Sequence, residues 1–270
     1  MPEKFEKHIC VTRDGATALE CLNENTEFSK QKIKQMMQNG AVWLESIQGI
    51  DRLRRAKKLV KAGDTLHLYY NESVQTTVPE KAQLISDQDD YSIWNKPAGM
   101  LSQGSKWGDH CTIYRWVETH LKPQRPAFIV HRLDKAANGL IIIAHKKTVA
   151  AKFSAMFENH EMYKKYMARV EGILDKLELP FEIKNKLDDK VSISEIVSTK
   201  VLENNKTEVE IVIKTGRKHQ IRRHLSGMGY PIEGDRLYGA KNIAEDLQLK
   251  AINIKFKCPV TGEQKDWRLK

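Results

Sequence analysis

Apolar residues in this chain come in short runs whose spacing switches between the helical and the extended period. Ala16 to Asn23 predicts a short helix, and Ser29 opens a second one as its N-cap. In that second helix Ile33, Met36 and Met37 share a face, with Lys30, Lys32 and Lys34 interleaved, until Asn39-Gly40 stops it. Strands are predicted at Ala41 to Leu44 and, after a Gly63-Asp64 turn, at Thr65 to Tyr70. Residues 12–75 therefore read as a compact unit, and we set a first domain at 1–75. The polar stretch 72–83, which contains Pro79, predicts a linker, placed at 76–83. From Leu84 onward short strands and helices alternate, giving a second domain at 84–270. Its strands are expected at Tyr91 to Trp94, Gly139 to Ala144, Lys165 to Val170, Val191 to Val201 and Glu208 to Lys214. Its helices are expected at Thr112 to Leu121, at Thr148 to Asn159, and from Gln220 to the stop at Gly227 and Gly229.

Composition narrows the class. With 40% apolar residues in a chain of 270, a real core is expected and wholesale disorder is not. The 45 basic residues exceed the 35 acidic ones by ten. That excess fits a polyanionic partner, although a lysine-rich solvated surface accounts for it equally well. In the first domain the basic run Arg52, Arg54, Arg55, Lys57, Lys58, Lys61 tilts the balance toward RNA. The four cysteines, Cys10, Cys21, Cys111 and Cys258, are scattered without a paired spacing, so neither a disulfide framework nor a structural zinc is expected. A reduced, cytoplasmic protein follows. The start MPEKFEKHIC lacks the apolar run of a signal peptide, and Leu140 to Ala144 is too short to span a bilayer.

Three segments of the second domain carry candidate chemistry. In HRLDKAANGLIIIAH, residues 131–145, Asp134 stands between a polar loop and an apolar strand. A carboxylate there is held by a rigid sheet and partly desolvated, and Arg132 is close enough in sequence to meet phosphate or a base. In KKYMARVEG, residues 164–172, Tyr166 offers a ring that stacks on a nucleobase or packs in the core. In KTGRKHQIRRHLSGMGYPIEGDRLYG, residues 214–239, Arg217, Lys218, His219, Arg222, Arg223 and His224 crowd the start of a predicted helix, a natural anion site. A zinc pair is disfavoured, because His219 and His224 are not at i, i+4 spacing and no carboxylate motif accompanies them.

Together with NKPAGMLSQG at 95–104, these segments resemble the ordered motifs of the RluA family of RNA pseudouridine synthases: HRLD, K-x-Y, TGR-x-HQIR-x-H and GD-x-x-YG. The resemblance covers about residues 84–240. It implies an α+β catalytic domain built on a mixed, largely antiparallel central sheet with flanking helices and loops. It implies no cofactor and no metal, an RNA partner (ribosomal or transfer), no membrane, and a monomer. Residue by residue, Asp134 matches the catalytic aspartate, Arg222 its charge partner, and Tyr166 the tyrosine that stacks on the target base and is the candidate base or relay for the proton that leaves carbon 5. Arg132 matches the arginine tied to base flipping. His131, Lys164, Arg217, His219, Gln220 and Ile221 fall with it on the substrate side. Ala137-Asn138 departs from the usual Thr-Ser, which puts the geometry of that loop in question. The first domain, through FSKQKIKQMMQNGAVWL and KAGDTLHLYY, is similar to the ribosomal-protein-S-four type of RNA-binding domain. The rival classes are a non-catalytic RNA-binding protein, which has no need of Asp134, Tyr166 and Arg222 together, and a zinc- or phosphate-dependent enzyme, for which ligand spacing and a P-loop are lacking.

Overall fold

The computed structural model describes residues 3–239 and 246–269, and the chain forms two compact units. The first comprises residues up to Pro79 together with Gln103–Trp116. It runs β1 (Lys4–Cys10), α1 (Ala18–Glu24), α2 (Lys30–Gln38), β2 (Val42–Ser46), β3 (Gly49–Arg52), β4 (Thr65–Asn71) and α3 (Glu72–Thr76). Thr17 and Glu20 close a capping box on α1, and Ser29 Oγ caps α2 by accepting the Lys32 amide at 3.2 Å. One face of the antiparallel sheet β1-β4-β2-β3 packs its Ile9, Val42, Leu66 and Leu68 into a core with Leu22, Ile33, Met36 and Met37 of the helices. β1 escapes a hydrophobic reading because KFEKHIC sends Phe5 and Ile9 inward but Lys4, Glu6 and His8 outward.

The stretch 103–116, expected in the second domain, packs with the first unit instead. The cause is Asp109, whose side chain is 1% exposed and lies 2.5 Å from Arg54 and 3.4 Å from Arg52. Arg52 also donates to Gly40 O and to Ser105 O, and Arg54 to Gln38 O. Two arginines of the basic run are thus spent inside the fold, whereas Arg55, Lys57, Lys58 and Lys61 remain exposed.

The second unit comprises Glu80–Ser102 and Val117–Lys270. In chain order it contains β5 (Gln83–Asp87), β6 (Tyr91–Lys96), the end of α4 (Ile113–His120), β7 (Phe128–Ile129), β8 (Asn138–Ala144), α5 (Lys147–Glu158), β9 (Tyr163–Glu171) and β10 (Phe181–Leu187). β11 (Lys190–Leu202), β12 (Lys206–Ile213), α6 (Gln220–Gly227), β13 (Leu249–Lys257) and β14 (Gln264–Arg268) follow. β5 begins where the linker was expected to end, after α3 and a short irregular stretch. The fold is mixed α+β. Its ten-stranded sheet has the order β10-β11-β12-β9-β13-β8-β6-β5, with β14 on β13 and β7 on β8; among the described residues only β13 and β8 pair in parallel. β8 lies mid-sheet and is buried on both faces, which is why NGLIIIA reads as continuous apolar sequence. Gly139 has φ +113°, and a Cβ there would meet Ala251 O at 2.3 Å and Ala251 N at 2.5 Å. β13 can therefore approach the foot of β8 only because residue 139 has no side chain.

Candidate active site

The loop between β7 and β8 carries Asp134 and is tied down along its length. β7 pairs with the end of β8 through Phe128 opposite Ala144 and Ile129 opposite Ile143. Where that ladder stops, a side chain continues it: His131 Nε2 accepts the Ile142 amide at 2.9 Å, and the ring stacks on Phe157 at 4.6 Å between centroids. Burial, with the nearby Lys164 ammonium, pushes His131 down to about 3, so the ring stays neutral and keeps this acceptor. The segment 95–104 provides the other anchors. Ser102 Oγ accepts from Leu133 N at 3.0 Å and donates to Leu133 O at 2.8 Å. Lys96, wholly buried, donates to Pro97 O at 2.9 Å, Met100 O at 2.8 Å and Ala137 O at 2.7 Å, with Lys135 O at 3.4 Å. Burial pulls Lys96 down to about 7 and Asp134 opposes this; the ring of carbonyl oxygens favours the ammonium further.

Asp134 faces a cleft of about 100 Å³ whose walls include Arg132, Ala137, Tyr166, Gly216, Arg217, His219 and Arg222. Arg222 Nη1 lies 3.4 Å from Asp134 Oδ2, and His219 Nε2 lies 3.9 Å from Oδ1. α6 brings both residues there, and its seat on β10 and β11 is polar. Gln220 donates to Ile193 O and Ser194 Oγ, both at 2.9 Å, and accepts from Thr215 Oγ1 at 2.7 Å and from Arg217 N at 3.0 Å. His224 bonds Ser192, Ser194 and Asn185 at 2.8–3.0 Å. His219 itself is the N-cap of α6 in the left-handed region, φ 53° and ψ 31°. Tyr166 on β9 is 8% exposed, and burial, reinforced by Asp134, raises its hydroxyl well above the ordinary phenol value. It is a neutral ring at any physiological pH.

Of the ten residues singled out from sequence, eight line this cleft: Arg132, Asp134, Tyr166, Arg217, His219, Gln220, Ile221 and Arg222. His131 and Lys164 do not. Lys164 is buried beside the Phe157 ring, 5.6 Å from its centroid, and burial lowers it to about 8. Sequence reading missed Asp235 and Tyr238. Asp235, 1% exposed, accepts from Arg222 Nε at 2.7 Å and Nη2 at 2.6 Å, which leaves Nη1 for Asp134. Its Oδ1 also takes the amides of Leu237 and Tyr238. Tyr238 places its ring 5.1 Å from the Arg222 guanidinium, and its hydroxyl lies 3.0 Å from His219 Nδ1. The only sequence signal for this pair was the GD-x-x-YG motif itself. Among the described residues no group of three or more His, Cys, Asp or Glu is arranged to hold a metal, and no helix is long and apolar enough to cross a membrane.

A carboxylate, a clamped guanidinium and an aromatic wall thus meet in one cleft, supplied by three separate segments. Residues 90–227 match the family described as RNA pseudouridylate synthase. The chain is an RNA pseudouridine synthase of the RluA family. It is 32% identical over 209 residues to tRNA pseudouridine synthase C of Vibrio cholerae, covering 65% of this chain and 86% of that protein. It is 32% identical over 194 residues to the dual-specificity RNA pseudouridine synthase RluA of Escherichia coli, covering 65% and 87%. Ribosomal large subunit pseudouridine synthase D of Haemophilus influenzae is 24% identical over 275 residues, covering 89% and 83%. The human RNA pseudouridylate synthase domain containing 1 shares the fold, with a TM-score of 0.58 at 19% identity over 72% of this chain and 85% of its own. The synthase is accordingly an isomerase that acts on RNA.

Two consequences concern the loop. Lys96→Met keeps the length of the side chain but leaves buried carbonyls without a donor, each costing about 1–3 kcal/mol. We expect a stability loss of about 3 kcal/mol in urea denaturation together with slower turnover; unchanged midpoint and rate would show that the loop does not depend on this ammonium. His131 has a folded pKa below its unfolded value, so its contribution is complete above pH 6.5 and is lost as pH falls toward 3. The synthase should therefore lose more stability between pH 7 and pH 4 than a His131→Gln variant, by chemical denaturation at each pH; parallel curves would refute this.

Proposed function

We propose that the synthase isomerises uridines in structured RNA with Asp134 as nucleophile. The reaction breaks the bond between ribose carbon 1′ and uracil nitrogen 1, turns the base, and rejoins it through carbon 5. Atoms are conserved and no oxidation occurs, so no cofactor is needed. The supporting observation is that Asp134, Tyr166 and Arg222 share one cleft although 88 residues separate Asp134 from Arg222. Arg222, held by Asp235, aims one guanidinium nitrogen at the carboxylate and fixes its direction. The flipped uracil stacks on Tyr166, and Arg132 on the exposed rim takes the space or the phosphate it leaves. Arg217 completes a cationic border for the backbone.

The first unit we read as an RNA-binding domain of the ribosomal-protein-S-four type, with exposed Lys57, Lys58 and Lys61 meeting phosphates. Relatives with transfer-RNA, ribosomal and dual-specificity names make both RNA classes candidate substrates, and the extra unit favours a large ribosomal RNA. The test is to map pseudouridines in ribosomal and transfer RNA from cells with and without the synthase. One or a few sites should disappear. An unchanged map, with RNA still bound by the protein, would return the non-catalytic reading.

A further inference from the structure

The outward face of the first unit's sheet carries rings where a solvated face ordinarily carries polar side chains. Ile9, Val42, Leu66 and Leu68 point into the core, so His8, Trp43, His67 and Tyr69 point the other way. The register sets His8 opposite His67, His67 opposite Trp43, and Trp43 opposite Arg52. The rings form a run. Between centroids, His8 lies 4.9 Å from His67 and 6.0 Å from Tyr69, and Tyr69 lies 5.9 Å from Trp107. Trp107 belongs to the 103–116 stretch that packs with this unit. Trp43, Tyr69 and Trp107 are half-buried and His8 is exposed. An open aromatic run outside the core marks an interaction surface.

We propose that this face binds an unpaired segment of the substrate RNA, with bases stacked on Tyr69 and Trp107 and phosphates on Lys4 and Lys106; this rests on reading the first unit as an RNA-binding domain. The cations identify the occupant. Lys4 Nζ stands 4.6 Å from the centre of the Trp107 ring, and Lys106 Nζ stands 4.9 Å from that of Tyr69 and 5.1 Å from that of Trp107. Both lysines are exposed, and their flexible stems let the ammonium swing from ring to phosphate as a base takes the ring's face. A ring beside a cation is what a single strand requires, π-face for the base and charge for the backbone. Protein interfaces also favour rings, but they deplete lysine at their cores. A duplex hides its base faces and gives these rings nothing to stack on. The face also holds acids, and each has a partner: Glu45 lies 2.9 Å from His67, and Glu6 lies 2.5 Å from Lys106 and yields it to a phosphate.

The platform is fixed before RNA arrives. Gln75, only 4% exposed, donates to Trp107 O at 2.8 Å and accepts from Asn39 Nδ2 at 3.0 Å. Trp43 Nε1 donates to Lys106 O at 3.2 Å, and Arg52 donates to Ser105 O at 2.6 Å. His8 and His67 meet through their Nδ1 atoms at 2.7 Å. Rings held this way lose little freedom when a base stacks on them. Lys57, Lys58 and Lys61 differ in kind, because they lie off the sheet and supply charge without rings.

The test uses the full-length synthase and a fluorescent oligocytidylate, which is unpaired and offers the cleft no uridine. Tyr69→Leu and Trp107→Leu keep apolar bulk and remove the ring. Each should raise Kd about tenfold, within the range for one stacked base. Tyr69→Phe keeps the ring and should bind as the parent does. Lys4→Gln and Lys106→Gln should each flatten the slope of log Kd against log salt by about 0.7, the share of one phosphate on a single strand. The lysine slopes decide the matter if a Leu variant fails to fold. A parent that does not bind oligocytidylate, or folded Leu variants that bind it as well as the parent, would overturn the proposal. An equal loss in Tyr69→Phe would also overturn it and trace the effect to packing. Ring variants that turn a dimer into a monomer in sedimentation, with RNA affinity unchanged, would give the face to a second copy of the chain. Changing Lys57, Lys58 and Lys61 together to Gln separates the two readings. If only that variant loses RNA, the first unit binds RNA elsewhere and this proposal alone fails. If neither it nor the ring variants lose RNA, the RNA-binding reading of the first unit fails as well.

Discussion

Asp134→Asn should lower turnover by about 10⁴-fold or more, the scale on which loss of a covalent nucleophile is felt, while RNA affinity stays near that of the parent. Asn has the shape of Asp, and the loop that presents it is held by other groups: His131 on the Ile142 amide, Ser102 on Leu133, Lys96 on Ala137 O. None of these contacts involves the carboxylate. The side chain is 28% exposed, so the amide is not stranded in a dry interior. Arg222 keeps its stronger partner, Asp235, and does not become an isolated buried charge. The variant should therefore fold, unfold at nearly the parent's denaturant midpoint, and bind RNA through the same cationic rim. Tritium release from carbon-5-labelled uridine RNA measures the chemistry, and filter binding measures the affinity. Turnover within tenfold of the parent, about 1.4 kcal/mol in barrier, would remove Asp134 from the chemistry.

How much of this was legible beforehand depended on where each residue's partners lie in sequence. Helices α1, α2, α5 and α6 and strands β2, β4, β6, β8, β9, β11 and β12 all lie at the predicted places, within a few residues at their ends. Their burial patterns are periodic and local, and Ser29 caps α2 as its position implied. β1 and β10 were not read, because KFEKHIC and FEIKNKL alternate with charges on the outward face and bury few residues. The second unit's boundary failed for a different reason. Nothing near Asp109 announces that its partners are Arg52 and Arg54, more than fifty residues upstream. The same limit applies at the active site. Eight cleft residues were legible because motif order carried them, but the roles of His131 and Gln220 were not. Both side chains spend their hydrogen bonds on backbone and neighbouring side chains, His131 to finish a strand ladder and Gln220 to seat a helix. A motif records that a residue type is required. It does not distinguish a group that meets RNA from one that holds such a group in place.

Asp235 shows the distinction most sharply, and its replacement should have the second-largest effect. Asp235→Asn preserves volume and leaves an oxygen for the Leu237 and Tyr238 amides, but it turns a donor toward the Arg222 guanidinium, which is itself only 6% exposed. The 2.7 Å bond from Nε is lost and a donor faces it instead; Nη2 keeps only a neutral amide oxygen, and the buried cation is left with Asp134 at 3.4 Å as its carboxylate partner. Breaking one side of such a pair costs about 3–5 kcal/mol. Turnover should fall as well, by about 10²-fold, because a guanidinium displaced by about an ångström no longer aims Nη1 at Asp134. The pH dependence follows from the sign of the shift. Burial works against the Asp235 charge, but the Arg222 hydrogen bonds and the two amides outweigh it and hold the carboxyl below its ordinary 3.8. Its contribution is therefore complete above that value and is lost only as pH falls through the lower, folded value. The deficit of the Asn variant should accordingly be constant from pH 5 to pH 8 and shrink in strong acid. Removing the cation too, in Asp235→Asn with Arg222→Met, should recover most of the stability while leaving turnover low, since the clamp then has nothing to hold. Urea denaturation of the three proteins decides it. A single variant as stable as the parent would mean that Arg222 finds solvent instead, and that Asp235 does not orient it.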